Sequence, residues 1–336
     1  RAPDKALPPS LASLVATLSW AQEALNGHLL PDEIFLSRSN QGPDSTRRER
    51  KQQGAVLRTA GGSYQMNQMH HIQSASKASL VRMRPASRHR IGLVVPSSNT
   101  TMETELPELL DRIEDQNAYR FTFHSSRMRL KTVSPEELLA MNAQADRCVE
   151  ELSDAAVDVA AYACLVAVMS QGPGHAIRLG DRLTTLVRKG NPAAQMVTSA
   201  GALIDGIKSL DASRVALITP YMKPLTQLVI NCLEDAGIEV VDSISLEIAD
   251  NLEVGRRNPL DLVEIARDLD LSRADALVLS ACVQMPSLEA IPVVENEHRL
   301  PVLSAATATL RSILDKLKLD VSIPGGGSLL ETNSAV

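Results

Sequence analysis

Cys164 and Cys282 lie in matching frames, Ala161-Tyr162-Ala163-Cys164-Leu165-Val166-Ala167 and Leu279-Ser280-Ala281-Cys282-Val283-Gln284-Met285. Each closes an apolar run that reads as a buried strand, Val157 to Tyr162 in one case and Ala276 to Leu279 in the other. A single cysteine in such a place is ordinarily a small core residue, because Cys is among the most buried types. Two at equivalent strand ends point to chemistry instead. A thiolate is a soft nucleophile and a thiol can act as an acid, so two sulfurs converging on a small substrate could work on both its ends. Where a strand gives way to a helix, free backbone N–H groups are expected to favour the thiolate. Cys148 and Cys232 fall inside expected helices and read as structural.

The elements that must position these thiols follow from the pattern. Ile91-Gly92-Leu93-Val94-Val95 reads as a buried strand, ended by Pro96-Ser97-Ser98-Asn99, with a helix starting near Thr100. Thr100 and Glu103 have the spacing of a capping box, which leaves Ser97, Ser98, Asn99 and Thr101 as donors able to hold a carboxylate. Arg120 to His124 is a second strand. A helix opens at Ser134-Pro135 and is expected to run to about Ala155. The Cys164 strand follows, then Met196 to Ser199 as a strand and Ala200 to Ser209 as its helix. Alternating strands and helices of this length predict a parallel, doubly wound α/β sheet.

The second half repeats the first. Arg90-Ile91-Gly92-Leu93-Val94-Val95-Pro96 is echoed by Arg214-Val215-Ala216-Leu217-Ile218-Thr219-Pro220, the Cys164 strand by the Cys282 strand, and Val197-Thr198-Ser199-Ala200 by Val302-Leu303-Ser304-Ala305. Three ordered echoes predict two similar lobes related by a pseudo-two-fold axis, with the site between them. The lobes are assigned to 89–211 and 212–330, with helices free to exchange at the boundary. Tyr221 occupies the second-lobe loop equivalent to Asn99's, and reads equally as a ligand contact or a wall residue. Asn251 reads as a turn residue.

Residues 1–88 read as an extension, mostly disordered from Ser37 to Ser87, with one amphipathic helix over Ser10 to Asn26. Met66, Met69 and Met83 precede the regular part, so the first stretch is expected to reflect a start site assigned too early. A transit-type or basic arm is the rival reading. Leu11 to Ala24 lacks the flanks of a signal peptide. The Gly325-Gly326-Gly327 run reads as a flexible end.

Composition limits the function classes. The 336 residues are 44% hydrophobic but only 2% aromatic, so the core must be aliphatic, as suits a helix-covered parallel sheet. Basic residues concentrate between Arg47 and Arg90, which leaves the rest acidic and argues against nucleic acid as a partner. No apolar run is long enough for a membrane span. The four cysteines lack metal-site spacing and read as reduced thiols of a cytoplasmic protein. His124 and His175 read as structural or surface residues. The chain carries no phosphate-binding loop and no dinucleotide fingerprint, so no cofactor is expected.

The segments Arg90 to Glu103, Tyr162 to Ala167, Thr219 to Pro224, Asp250 to Arg256 and Ser280 to Ser287, in that order, resemble the maleate cis-trans isomerases of the aspartate/glutamate racemase superfamily. The resemblance covers about Arg88 to Leu330. It implies cofactor-free conversion of maleate to fumarate through a succinyl-cysteine intermediate. Cys164 would be the nucleophile and Cys282 the second catalytic cysteine. Substrate would be bound by Asn99, Tyr221 and Asn251, with Leu165, Val166, Val283 and Gln284 beside the thiols. The implied partner is a small dicarboxylate; a homodimer is expected, though no residue pattern carries it. Two alternatives stay open. One is a racemase or related two-cysteine enzyme of the same superfamily. The other is a non-catalytic diacid-binding protein with structural thiols.

Overall fold

The computed structural model describes residues 87–113, 118–172 and 174–331. The helix expected over Ser10 to Asn26, the disorder expected up to residue 86 and the reading of the start site all lie outside them. The first strand, β1 (Ser87–Pro96), begins inside what the sequence suggested was the extension, because Ser87 already pairs with Tyr119.

Two four-stranded parallel sheets form the body. The first has the order β2-β1-β3-β4, with β2 (Tyr119–Met128), β3 (Val159–Tyr162) and β4 (Gln195–Thr198). The second has the equivalent order β6-β5-β7-β8, from β5 (Arg214–Thr219), β6 (Glu239–Ser245), β7 (Ala276–Ser280) and β8 (Val302–Ser304). Central strands β3 and β7 are buried along their whole length, which is why they read as unbroken apolar runs.

The echoed motifs are superposable in their hydrogen bonding. Arg90 N–H donates to Asp158 Oδ2 at 2.7 Å, and Arg214 N–H to Asp275 Oδ2 at 2.9 Å. Ala163 N–H donates to Val94 O at 2.8 Å, and Ala281 N–H to Ile218 O at 2.9 Å. Thr198 caps the helix after β4 and Ser304 the helix after β8, each accepting a backbone N–H at 3.2 Å.

The helices in chain order are α1 (Met102–Leu110), α2 (Pro135–Asn142), α3 (Ala145–Asp154), α4 (Leu165–Met169), α5 (His175–Val187), α6 (Ser199–Ser209), α7 (Lys223–Asp235), α8 (Asn251–Arg256), α9 (Asp261–Ala266), α10 (Ile291–His298) and α11 (Ala305–Leu317). The last helix, α11, packs on α6 and on β3 and β4, tying the C-terminal sequence to the first sheet.

Three local expectations change. The helix expected from Pro135 to about Ala155 breaks between α2 and α3, where the Gln144 side chain bonds both the N–H and the C=O of Arg129. The capping box at Thr100 does not form: Thr101 precedes α1, Glu103 pairs with Arg127, and Asn99 Oδ1 accepts the N–H of Met102 at 3.2 Å. The glycine run is packed. A Cβ on Gly327, whose φ is +79°, would stand 2.6 Å from Val302 O, and Ile323 N–H is bonded to Leu330 O.

Candidate active site

One cavity at the carboxyl ends of β1, β3, β5 and β7 is lined by Asn99, Cys164, Leu165, Val166, Tyr221, Asn251, Cys282, Val283 and Gln284. These are the nine positions singled out in the sequence, brought together from five separate segments. Pro96, Leu130 and Val133 complete the wall. Leu130 and Val133 carry no chemical signal in the sequence. They come from the segment after β2, which is bridged to the other half by Thr132 and Asp250.

Cys164 directly precedes α4, as expected from its strand-end position. Cys282 differs: a turn follows it, and Gln284 N–H approaches its sulfur at 3.4 Å. Both thiols are buried, at 5% and 6% exposure. Burial overrides the expected thiolate-favouring ends. It pushes Cys164 up to about 12, against one backbone N–H from Ala167 and with the Cys282 charge adding to the rise. Cys282 is also raised by burial, but the Tyr221 hydroxyl and the N–H groups of Gln284 and Met285 oppose the rise. Of the two sulfurs, Cys282 therefore has the richer set of donors.

The polar residues around the sulfurs are tied across the two halves. Asn99 Nδ2 donates to Val283 O at 3.2 Å, and Thr101 Oγ1 to Gln284 O at 2.7 Å. Asn251 Nδ2 donates to Ser98 Oγ at 2.6 Å, and the Gln284 amide donates to Asn251 O and, at 3.3 Å, to Ser98 Oγ. Asp250 caps α8, accepting Leu252 N–H at 2.8 Å, so Asn251 is the first residue of a helix and not a turn residue. Of the loop donors suggested by the sequence, only Asn99 reaches the cavity. Ser97 Oγ is consumed by Leu130, and Ser98 and Thr101 tie the halves together. Arg127 braces the loop from outside, donating to Asn99 O at 2.8 Å.

His124 and His175 are not among the lining residues. Among the described residues, no group of three or more His, Cys, Asp or Glu is placed to hold a metal ion. Nor is any helix among them long and apolar enough to cross a membrane.

A protein-family model described as arylmalonate decarboxylase matches residues 91–330. Maleate isomerase from Geobacillus stearothermophilus is 58% identical over 73% of this chain and 98% of its own length. The Nocardia farcinica maleate isomerase is 53% identical over 74% and 97%. The chain belongs to the maleate isomerase family. Its structure resembles that of maleate isomerase from Pseudomonas putida S16 solved with maleate, with a TM-score of 0.71 at 52% identity, covering 73% of this chain and 98% of that one. It matches equally a cysteine-to-serine variant of the Nocardia farcinica enzyme carrying a covalently bound succinylcysteine intermediate, at TM-score 0.71 and 52% identity over 74% and 100%. Arylmalonate decarboxylase itself, at 20% identity and TM-score 0.55, shares the fold.

Proposed function

We propose the following path for the family's reaction, the cis–trans isomerisation of maleate to fumarate, with Cys164 as nucleophile and Cys282 as proton carrier. The observation that carries it is the convergence of both sulfurs, with unequal donor sets, on one cavity.

Rotation about a carbon–carbon double bond requires that its π component be removed. The thiol pair loses one proton, and the donors around Cys282 favour leaving the charge there. That thiolate takes the Cys164 proton as Cys164 Sγ adds to one alkene carbon. The S–C bond forms, the π bond breaks, and its electrons pass toward the distal carboxylate. The Cys282 thiol then delivers the proton to the neighbouring carbon, giving a succinyl thioether. The central bond turns. Cys282 takes the proton back as the S–C bond breaks, passes it to the departing Cys164 sulfur, and the trans diacid leaves with the thiol pair restored to its starting state. Backbone N–H groups beside the thiols and the Asn99 and Asn251 amides hold the carboxylates in this reading.

The cavity measures about 20 Å³, room for about one water. Maleate enters only if the wall opens, and closing it again strips water from the reacting sulfurs. Two reduced thiols suit a reducing compartment, which supports a cytoplasmic enzyme. A homodimer belongs to the same reading and is checked by sedimentation at working concentration.

Side-by-side assays of maleate, aspartate and an arylmalonate test the reaction. Turnover of maleate alone supports it. Turnover of aspartate without maleate would transfer the site to racemase chemistry.

A further inference from the structure

Glu105 of α1 is 6% exposed, and the chemistry above makes no use of it. Its Oε1 accepts the backbone N–H of Ser287 at 2.6 Å and that of Leu288 at 2.9 Å. Both belong to the segment that starts at Cys282. Its Oε2 and the hydroxyl of Ser287 are buried without a hydrogen-bond partner. Asn99 and Thr101, just before it in sequence, bond Val283 O and Gln284 O. Residues 99–105 thus grip 283–288 at three successive levels, and the last of them is a buried ionisable group.

A buried carboxylate without a cation is a costly acceptor for two N–H groups that an amide could serve as well. Burial raises Glu105 to about 7; the two N–H bonds act the other way, and the charges of Glu108 on the same helix and Glu289 on the turn add to the rise. Glu108 is itself paired with Arg112 at 2.6 Å. Near neutrality the group therefore stands between two states. Ionised, it gains by reaching water, which requires the turn to part from α1.

We propose that Glu105 is a positioning residue: it fixes the turn carrying Cys282, Val283 and Gln284 against α1, and its ionisation loosens that grip. The inference rests on the reading of the site as the place where maleate is isomerised.

The test compares the native chain with Glu105→Gln and Glu105→Leu. The amide oxygen of Gln can accept both N–H groups and cannot ionise. For Glu105→Leu, kcat for maleate is expected to fall about tenfold or more while KM changes less, the pattern of a misplaced reacting group. For Glu105→Gln, kcat is expected to lie within about twofold of native near pH 6, and the ratio of Gln to native to rise severalfold by about pH 8 as only the native side chain ionises. Backbone amide exchange at Ser287 and Leu288, compared between native and Gln forms at each pH, reads the grip without turnover. It should quicken with pH in the native chain beyond the Gln form. Native kcat in a folded Leu variant, a Gln-to-native ratio flat across the range, or identical exchange in the two forms would overturn the proposal. If the Leu variant does not fold, the Gln comparison decides. A native chain inactive on maleate counts against the reaction, and the exchange comparison then decides the role of Glu105.

Discussion

The Asn251 amide donates to Ser98 Oγ at 2.6 Å, joining the start of α8 to the loop after β1 across 153 residues of chain. Ser98 also meets the Gln284 side chain at 3.3 to 3.4 Å. One hydroxyl therefore orients two residues of the cavity wall, one on α8 and one on the Cys282 turn. Ser98→Ala leaves both amides without that partner while adding no bulk. An unsatisfied buried amide costs about 1–3 kcal/mol, so KM for maleate is expected to rise about tenfold or somewhat more, with kcat affected less. Steady-state kinetics check this. An unchanged KM would show that Asn251 does not need Ser98 to hold its place.

Tyr221 bears on Cys282 in a way the sequence could not rank. Its hydroxyl donates to that sulfur and opposes the effect of burial. Tyr221→Phe removes one of three donors and keeps the ring. The Cys282 thiolate should then form at higher pH, so the rise of kcat/KM with pH shifts to the alkaline side. At fixed neutral pH the loss should be about tenfold to a hundredfold, the about 1.5–3 kcal/mol of one hydrogen bond to a charged group. A pH–rate profile superposable on the native one would remove Tyr221 from the proton path.

Much of the fold was legible because its signals were redundant. Ile91–Val95, Val159–Tyr162, Val215–Ile218 and Ala276–Leu279 are unbroken apolar runs within β1, β3, β5 and β7, and each echoed motif returns at the same point in the second sheet. The site was legible where chemistry needs a rare residue, as at Cys164 and Cys282. It was illegible where the wall is made of ordinary ones. Leu130 and Val133 line the cavity only because the segment after β2 folds over it, a tertiary fact with no local signature. Glu105 stands three residues after Met102 and four before Leu109, on the buried face of α1, but its partners, the N–H groups of Ser287 and Leu288, have no local signature. The break between α2 and α3 went unread because it comes from a long-range contact of Gln144 with Arg129.

Glu105 also sets a pH dependence of stability. Its carboxyl is raised from 4.5 to about 7 on folding, so the folded chain holds this proton more tightly than the unfolded chain. Its contribution is fully present below about pH 4.5 and is lost as pH rises through about 7, amounting to some 3 kcal/mol at the upper end. Glu105→Gln should flatten the stability curve in that window. Urea denaturation of both forms at several pH values measures it; parallel curves would contradict the assignment.

The most direct test of the central claim is the mass of the Cys164 peptide after mixing a Cys282→Ser variant with maleate. Without Cys282 the addition must pass the Cys164 proton to water and is slowed, but removal of the carbon-bound proton is slowed more, so turnover should fall by at least about 10³-fold, some 4 kcal/mol, and the adduct should build up on long incubation. The peptide containing Cys164 should be heavier by one maleic acid, and a Cys164→Ser variant should carry no such adduct. An adduct confined to another cysteine, or maleate turnover that survives the loss of Cys164, would contradict the claim.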